Sequence, residues 1–238
     1  MSSILITGAA DGLGRAMQLA LQADGHIVAS FDLLDGFDVC APDIGEIYGA
    51  LREVSGDFDT DIPALDILIN CAGVNLTGWL EDFAEVHWDK VMDTNAKGIY
   101  MMTRACLRAL VHSRGTVLNI VSNASHMPMT TSLAYNASKG AAHIMTLQLA
   151  RELTKRHNIT VFGISPNKLR GTGMSKDIEA QVVLHRGWTP EFAAEYQRNA
   201  LLCGEETDPA QLAEFVAYLL SSKNRHKFLS GCVIPYGA

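Results

Sequence analysis

Short apolar runs alternate along the chain with longer segments of helical periodicity. The runs predict strands at 4–7, 26–31, 66–70, 116–121, 159–164 and 231–234. Most of them are apolar on both faces, which is typical of a parallel sheet covered by helices on each side. The segments between them predict helices near 13–24, 44–54, 85–94, 98–112, 137–156 and 208–221. This alternation predicts an α/β fold, a single domain over 1–238 with a doubly wound parallel sheet.

One stretch departs from that alternation. Asp32 ends the second predicted strand, and Asp38 follows only six positions later. A parallel crossover needs about a dozen residues or more, so the helix expected between the second and third strands is shortened or missing. The segment 37–41 is then either a short edge strand reached by a tight loop, or not a strand.

The predicted helices 98–112 and 137–156 are apolar on more than one side. On the second, a stripe is formed by Ala137, Ala141, Met145, Leu149 and Leu153, and the opposite side carries little charge. A helix that is apolar nearly all round is buried all round. The pattern predicts a homodimer or homotetramer through these two helices, with a thick monomer core as the alternative.

Composition and charge exclude several classes of protein. The net charge is −7 and no run of Lys or Arg occurs, which argues against nucleic acid or an anionic membrane as partner. The longest apolar stretches have strand length, and the N-terminus lacks the features of a secretion signal. Five scattered cysteines without a CxxC pair indicate reduced thiols in a cytoplasmic protein. Eight histidines without HxxxH or HExxH spacing give no reason to expect a metal.

A glycine-rich turn follows the first strand and precedes the first helix, in the sequence ILITGAADGLGRAM. Gly8, Gly12 and Gly14 give the spacing TGxxxGxG, with Asp11 and Leu13 between them. Glycine allows a tight turn and a close approach of a pyrophosphate to the free N–H groups of a helix N-terminus. The turn therefore predicts a dinucleotide-binding loop that includes all five residues.

Asp32, at the end of the second strand, indicates which dinucleotide binds. A carboxylate at this place would accept hydrogen bonds from the ribose 2′- and 3′-hydroxyls and would repel a 2′-phosphate. Leu33 follows it, and Arg15 is the one cation nearby in the turn. These residues favour NAD over NADP; the alternative for Asp32 is a capping or turn aspartate.

Several motifs now occur together in a fixed order. They are TGAADGLG at 7–14, NCAG at 70–73, Asn95 in DTNAKG, Ser122 in NIVSNAS, and YNASK at 135–139, with Ser122 thirteen residues before Tyr135. In this combination the chain resembles the short-chain dehydrogenases/reductases over essentially its full length. The resemblance implies a Rossmann-type fold, a nicotinamide dinucleotide as cofactor, which Asp32 indicates to be NAD, and a catalytic tetrad of Asn95, Ser122, Tyr135 and Lys139.

By this resemblance, Tyr135 is the acid/base for the proton of an alcohol or carbonyl. A free tyrosine has a pKa near ~10 and is a poor base at neutral pH. Lys139 stands one helical turn away, and a unit charge at ~4 Å contributes roughly 4 kcal/mol at an effective dielectric of about 20. With help from the positive nicotinamide ring, the lysine is therefore expected to lower the pKa of the phenol towards ~7. Lys139 is also expected to reach the nicotinamide ribose, so both residues count as cofactor-binding.

The resemblance assigns the remaining positions as follows. Ser122 would hydrogen-bond the substrate oxygen, and Asn95 would interrupt a helix and hold a water on a proton path to Lys139. Three residues at the end of the fourth strand of the family fold are predicted to cover the adenosine side of the cofactor. They are Asn70, Ala72 and Gly73. The predicted adenine contacts are Asp38 and Val39.

The chain departs from the family pattern after the strand at 159–164. The family commonly has Pro-Gly followed by Thr-x-Met, whereas here SPNKLRGTGM has asparagine for the glycine and one extra residue. Pro166, Leu169 and Thr172 are still expected near the carboxamide. Residues 172–203, which we call the lid, are expected to cover the substrate together with His126, Met127 and Met129.

The leading hypothesis is an NAD-dependent oxidoreductase that interconverts a secondary alcohol and a ketone or aldehyde, its partner being a small-molecule substrate. The alternative is a non-catalytic dinucleotide-binding regulator or scaffold of the same fold. An epimerase or dehydratase of the extended branch would need a longer chain, and an enoyl reductase a longer Tyr–Lys spacing. Aromatic and methionine residues suit a partly apolar substrate, while two arginines and a histidine of the lid weakly favour an anionic one.

Overall fold

The computed structural model describes residues 1–221 and 226–237 of the protein. Within them six parallel strands form one sheet, in the order β2-β1-β3-β4-β5-β6. The strands are β1 Ser3–Thr7, β2 Ile27–Phe31, β3 Ile67–Asn70, β4 Thr116–Ile120, β5 Thr160–Pro166 and β6 Val233–Tyr236. The doubly wound parallel sheet predicted from the sequence is confirmed, with β6 two residues later than expected.

Helices cover both faces of this sheet. They are α1 Gly12–Ala23, α2 Ile44–Ser55, α3 Glu85–Met92, α4 Gly98–Ser113, α5 Leu133–His157, α6 Gly173–Arg186, α7 Pro190–Asn199 and α8 Pro209–Leu220. Helix α5 begins four residues before the predicted start, so Tyr135 lies in its first turn. Among the described residues, no helix combines the length and apolar character needed to cross a membrane.

Two helices, α6 and α7, form most of the lid, and the hydrophobic pattern did not predict them. The reason is that α6 buries only Ser175 and Val182 and α7 only Ala193, so neither shows an apolar stripe. Their N-terminal signals are nevertheless present. Thr172 caps α6, and Thr189 caps α7 directly before a proline at its first position.

The segment 37–41 is not a strand, which decides between the two alternatives left by the sequence. A short 3₁₀ turn at Leu33–Asp35 is followed by Gly36 with a φ of 88°, which reverses the chain. Phe37 then stacks on Phe31, with 4.1 Å between ring centroids, and is buried. Because this segment packs inward and does not extend the ladder, β2 is the edge of the described sheet.

The core lies in two layers, one on each face of the sheet. Successive residues of β1 alternate between them, since Ile4 and Ile6 belong to the layer under α1 and α8 while Leu5 belongs to the layer under α2 and α4. Each such fully buried aliphatic side chain contributes roughly 1.5–3 kcal/mol. This rigid centre fixes the carboxyl ends of the strands, where the predicted site residues lie.

Candidate active site

The glycine loop is packed so closely that side chains have no room. A side-chain carbon at Gly8, whose φ is +74°, would lie 2.6 Å from Ala72 Cα, and one at Gly14 would lie 2.0 Å from the Gly8 carbonyl oxygen. The loop thus presses against the end of β3 and leads directly into α1. Its backbone forms a cradle at a helix N-terminus, which fits a pyrophosphate.

Thr7, directly before this loop, joins β1 to the end of β3. Its hydroxyl accepts hydrogen bonds from the N–H groups of Cys71 and Ala72, both at 3.2 Å. We did not identify Thr7 as a site residue from the sequence, although it is the threonine of the TGxxxGxG motif. The Cys71 thiol lies in the same place, and burial raises its pKa to about 12, so it stays protonated.

Asp32 has the capping role that the sequence left open as an alternative. One carboxylate oxygen accepts from Ala10 N at 3.0 Å and the other from Leu34 N at 3.0 Å. The carboxylate therefore fixes the glycine loop to the end of β2. Each oxygen keeps a second lone pair, so this role is compatible with ribose binding.

Asn70 directs its side-chain amide into the protein interior. Its Nδ2 donates to Asn119 Oδ1 at 2.8 Å, and Asn119 Nδ2 donates to Thr146 Oγ1 at 3.0 Å. We call these three residues the amide ladder; it joins β3 and β4 to α5 in the buried core. Asn70 Oδ1 has no hydrogen-bond partner among the described residues, so a cofactor contact through this oxygen would leave the ladder intact.

The adenine-side predictions fall on the segment after β2. Asp38 accepts a hydrogen bond from Cys40 N at 2.8 Å. Val39 is buried, and its methyl group would lie 2.8 Å from a side-chain carbon at Gly98, where α4 begins. Val39 therefore packs against α4, and the adenine contact of both residues stays a prediction.

Ser122, Tyr135 and Lys139 converge at the carboxyl end of β4. Lys139 Nζ donates to the Ile120 carbonyl at 2.9 Å and lies 5.8 Å from the Tyr135 ring centroid. Ser122 follows β4, accepts from Ala124 N at 3.2 Å and interacts with the Tyr135 side chain. The structure thus brings three of the four predicted catalytic residues into one cluster.

The pKa values of this cluster differ from the expectation. Burial raises the pKa of Tyr135, and the hydrogen-bonding interaction with Ser122 opposes it. Burial also lowers the pKa of Lys139 to about 8. In the chain alone the lysine therefore does not outweigh burial, because both groups are poorly solvated and the buried ammonium is itself destabilised. The expected lowering of the phenol pKa, which includes the nicotinamide charge, stays a prediction.

Asn95 lies where the helical path widens into a π-turn, Asp93–Lys97, between α3 and α4. Its amide makes paired hydrogen bonds to the backbone of Val74, accepting from N and donating to O at 2.8 Å each. It also donates to Ser138 Oγ at 2.9 Å, and Ser138 donates to the Tyr135 carbonyl at 2.8 Å. Ser138, which we did not identify from the sequence, therefore connects Asn95 to the helix that carries Tyr135 and Lys139.

Gly73 lies at the centre of this arrangement. A side-chain carbon there would lie 3.3 Å from Asn95 Oδ1 and 3.7 Å from Lys139 Nζ. The glycine keeps the backbone after β3 close to both side chains.

The loop after β5 accommodates its extra residue by pairing with residues near 207. Pro166, the last residue of β5, pairs with Tyr236 of β6. Leu169 forms an isolated bridge with Thr207, and Asn167 Oδ1 accepts from Thr207 N at 3.1 Å. Leu169 packs against the core. Its predicted contact with the carboxamide stays a prediction.

The lid begins directly against the glycine loop. Thr172 caps α6 by accepting from Ser175 N at 3.1 Å, and its methyl group would lie 3.3 Å from a side-chain carbon at Gly12. Asp11 accepts a hydrogen bond from Gly173 N at 3.1 Å. The predicted phosphate cradle is therefore bordered on one side by the start of α6.

Lys168, in the loop after β5, connects the two lid helices through its side chain. Its ammonium contacts Glu179 at 2.6 Å and Glu206 at 2.7 Å, and it donates to Gln197 on α7. The side chain is 18% exposed. The lysine thus joins the loop after β5 to both lid helices. No cluster of His, Cys, Asp and Glu suited to a metal occurs in the part of the chain that the structure describes.

Comparison with known proteins identifies the family. The profile of the short chain dehydrogenases matches residues 2–183, so the chain belongs to that family, and it is an oxidoreductase. Sorbitol-6-phosphate 2-dehydrogenase of Klebsiella pneumoniae is 29% identical over 92% of this chain and 89% of its own length. An NAD-dependent glycerol dehydrogenase of Listeria innocua is 33% identical over 68% of each chain.

Solved structures support the fold. NAD⁺-bound xylitol dehydrogenase superposes with a TM-score of 0.87 at 23% identity, over 100% of this chain and 98% of that one. Actinorhodin polyketide ketoreductase with NADPH gives 0.83 at 22% identity, over 98% and 95%. These neighbours bind different dinucleotides, and at this identity they establish the fold alone.

Proposed function

We propose that the protein interconverts a secondary alcohol and a ketone or aldehyde with NAD as hydride carrier. The observation that carries this proposal is the cluster of Ser122, Tyr135 and Lys139 at the carboxyl end of β4, on the same sheet edge as the glycine loop. Ligands of open α/β sheets bind at that edge. The cradle at Gly8 and Gly14 fits the cofactor diphosphate.

In the oxidation direction, Ser122 holds the carbinol oxygen and Tyr135 takes its proton, while NAD supplies the hydride acceptor. Because burial raises the pKa of Tyr135 in the chain alone, the phenolate needs a further positive charge. The oxidised nicotinamide carries one. Lys139 orients the ribose and relays the proton towards the water-holding position at Asn95.

Replacing Tyr135 tests this mechanism. We expect Tyr135→Phe to lower kcat by about 10³-fold while NADH affinity stays within twofold, because general acid/base catalysis contributes 10²–10⁴-fold. Steady-state kinetics on a panel of polyols and ketones, with NADH fluorescence titration, gives both values. Tyr100→Phe on the exposed face of α4 is the matched control. A fully active Tyr135→Phe enzyme would remove the mechanism.

The preference for NAD rests on Asp32, whose carboxylate lies between the glycine loop and the turn after β2. We expect the wild type to bind NADH more tightly than NADPH. In Asp32→Asn the ratio of the two dissociation constants should shrink about tenfold, because the charge that repels a 2′-phosphate is removed. The asparagine keeps an acceptor for Ala10 N, so the loop is retained. Equal wild-type affinities for the two cofactors would contradict this assignment.

A non-catalytic dinucleotide-binding regulator is the second candidate, because the cradle at Gly8 and Gly14 would hold a dinucleotide whether or not the Tyr135 cluster turns over a substrate. Tight NADH binding with no turnover on any alcohol or ketone would support this candidate over the enzyme.

We further propose that the chain, as one domain, assembles as a homodimer or homotetramer through α4 and α5. Tyr100 and Ile144 on these helices are 48% and 62% exposed. A cytoplasmic location fits its five free cysteines. Sedimentation of Ile144→Lys against the wild type tests the assembly.

A further inference from the structure

Helix α6 is hydrogen-bonded to the segment after Gly73, which forms one wall of the predicted substrate cleft. Gln181 accepts a hydrogen bond from Thr77 N at 2.8 Å, and the Trp79 indole donates to the His185 carbonyl at 2.9 Å. Both partners belong to the segment that follows Gly73. The C-terminal half of α6 is therefore fixed beside the chain that leads out of the tetrad.

The opposite wall is the loop 123–131, which starts directly after Ser122. Asn136, the neighbour of Tyr135, donates to the Ala124 carbonyl at 2.6 Å and the Met127 carbonyl at 2.8 Å. Thr131 has a φ of 65°, a conformation that costs a β-branched residue about 1–3 kcal/mol. The loop is thus held in one shape against the helix that carries the tyrosine.

Arg186, the last residue of α6, bridges to this second wall. Its guanidinium donates to the Thr130 carbonyl, and its central carbon lies 4.9 Å from the Trp188 ring centroid. Gly78 N donates to the Thr131 carbonyl at 2.8 Å, so the two walls meet at the same place. The guanidinium therefore lies where both walls of the cleft and the lid converge.

The bonding of Arg186 is incomplete. Its Nε is buried and has no hydrogen-bond acceptor, and no carboxylate lies within ion-pair distance, in the part of the chain that the structure describes. Lys168, in the loop after β5 beneath the lid helices, contacts two carboxylates. A buried unpaired donor costs about 1–3 kcal/mol, and more when charged, so an acceptor is expected at this place.

We propose that Arg186, stacked on Trp188, binds an anionic group, a carboxylate or a phosphate, at the end of the substrate remote from the reacting carbon. A planar guanidinium, whose Nε–H has no acceptor among the described residues, matches the paired oxygens of such a group. The inference rests on the proposed function and narrows it to hydroxy or keto compounds that carry a negative charge.

Binding of the anion is tested without turnover. With the protein saturated with NAD⁺ to fill the diphosphate cradle, inorganic phosphate and succinate are titrated by calorimetry at constant ionic strength. We expect saturable binding of one of these anions to the wild type. The affinity should fall at least tenfold in Arg186→Met. It should fall several-fold in Arg186→Lys, which keeps the positive charge but lacks the paired N–H donors of the guanidinium. Arg156→Met, at an exposed position in the last turn of α5 and outside the lid, is the matched control and should bind like the wild type.

Turnover then gives the second readout. With sorbitol, sorbitol 6-phosphate and gluconate as alcohols, we expect Arg186→Met to lower kcat/KM for the charged compound about 100-fold and for sorbitol less than threefold. The anion that binds tells whether phosphate or carboxylate is recognised. Absence of saturable binding to the wild type, or equal losses in Arg186→Met and Arg156→Met, overturns the inference. Binding without turnover would refute the proposed function and still support the anion site.

Discussion

The two sides of the candidate active site are built by different means. On the sheet side, backbone atoms lie almost in contact, as at Gly8 and Gly14, and strand register fixes their places. On the lid side, long side chains such as Lys168 hold the helices through charged contacts. The difference teaches that the sheet side tolerates no added atom, whereas the lid can be loosened one contact at a time.

The largest effect is expected on the sheet side, in Gly14→Ala. Its methyl group would lie 2.0 Å from the Gly8 carbonyl oxygen, so the loop backbone has to move. We expect NADH affinity to fall about 100-fold, close to 2.7 kcal/mol, and stability to fall by roughly 3 kcal/mol. Fluorescence titration and urea unfolding measure both.

Gly49→Ala is the control for that change. Gly49 lies inside α2 with no described heavy atom within 4 Å of an added carbon, and alanine there should stabilise by about 0.5–1 kcal/mol. Unchanged NADH binding in Gly14→Ala would show that the loop is less constrained than its geometry indicates.

Buried charge at Lys139 gives the next effect, a dependence of stability on pH without cofactor. Because the folded pKa is lowered to about 8 from 10.5, the unfolded chain binds more protons between these values, and stability rises with pH there. Relative to Lys139→Met, we expect the wild type to gain on the order of 2 kcal/mol from pH 7.5 to 10. Urea unfolding at several pH values measures this difference; a constant difference would mean that Lys139 is well solvated.

The smallest effect is expected at the contact between the loop after β5 and the lid, in Lys168→Met. Removing the ammonium leaves Glu179 and Glu206 without their shared cation, which should cost about 1–2 kcal/mol. We expect a several-fold higher KM for the alcohol and an unchanged NADH affinity. Lys176→Met, at an exposed position of α6, is the control and should leave thermal unfolding and KM as in the wild type. If Lys168→Met and Lys176→Met have the same KM, Lys168 does not position the lid.

The sheet side was the part that the sequence could predict. Apolar runs gave the strands, and the spacing of Gly8, Gly12 and Gly14 gave the loop, because both depend on local pattern. The grouping of Ser122, Tyr135 and Lys139 in one site was implied by the resemblance to the family.

Other features depend on tertiary burial, which a sequence does not display. In the chain without cofactor burial raises the pKa of Tyr135, an effect that we did not predict because neighbouring charge can be seen in the sequence and desolvation cannot. The contacts of Thr7 and Ser138 join segments far apart in the chain. The polar lid helices gave no periodic signal, and their threonine caps were the one clue to them.

The amide ladder has a consequence for how the chain reaches its native state. Asn70 and Asn119 are directly opposed on β3 and β4, and both are buried. A shift of one strand by a single position would place each amide opposite an aliphatic side chain. The buried polar atoms of both amides would then lack hydrogen-bond partners, which would cost several kcal/mol of stability. The native register of β3 and β4 is therefore favoured over a shifted one, so the ladder helps to specify strand alignment at the middle of the sheet.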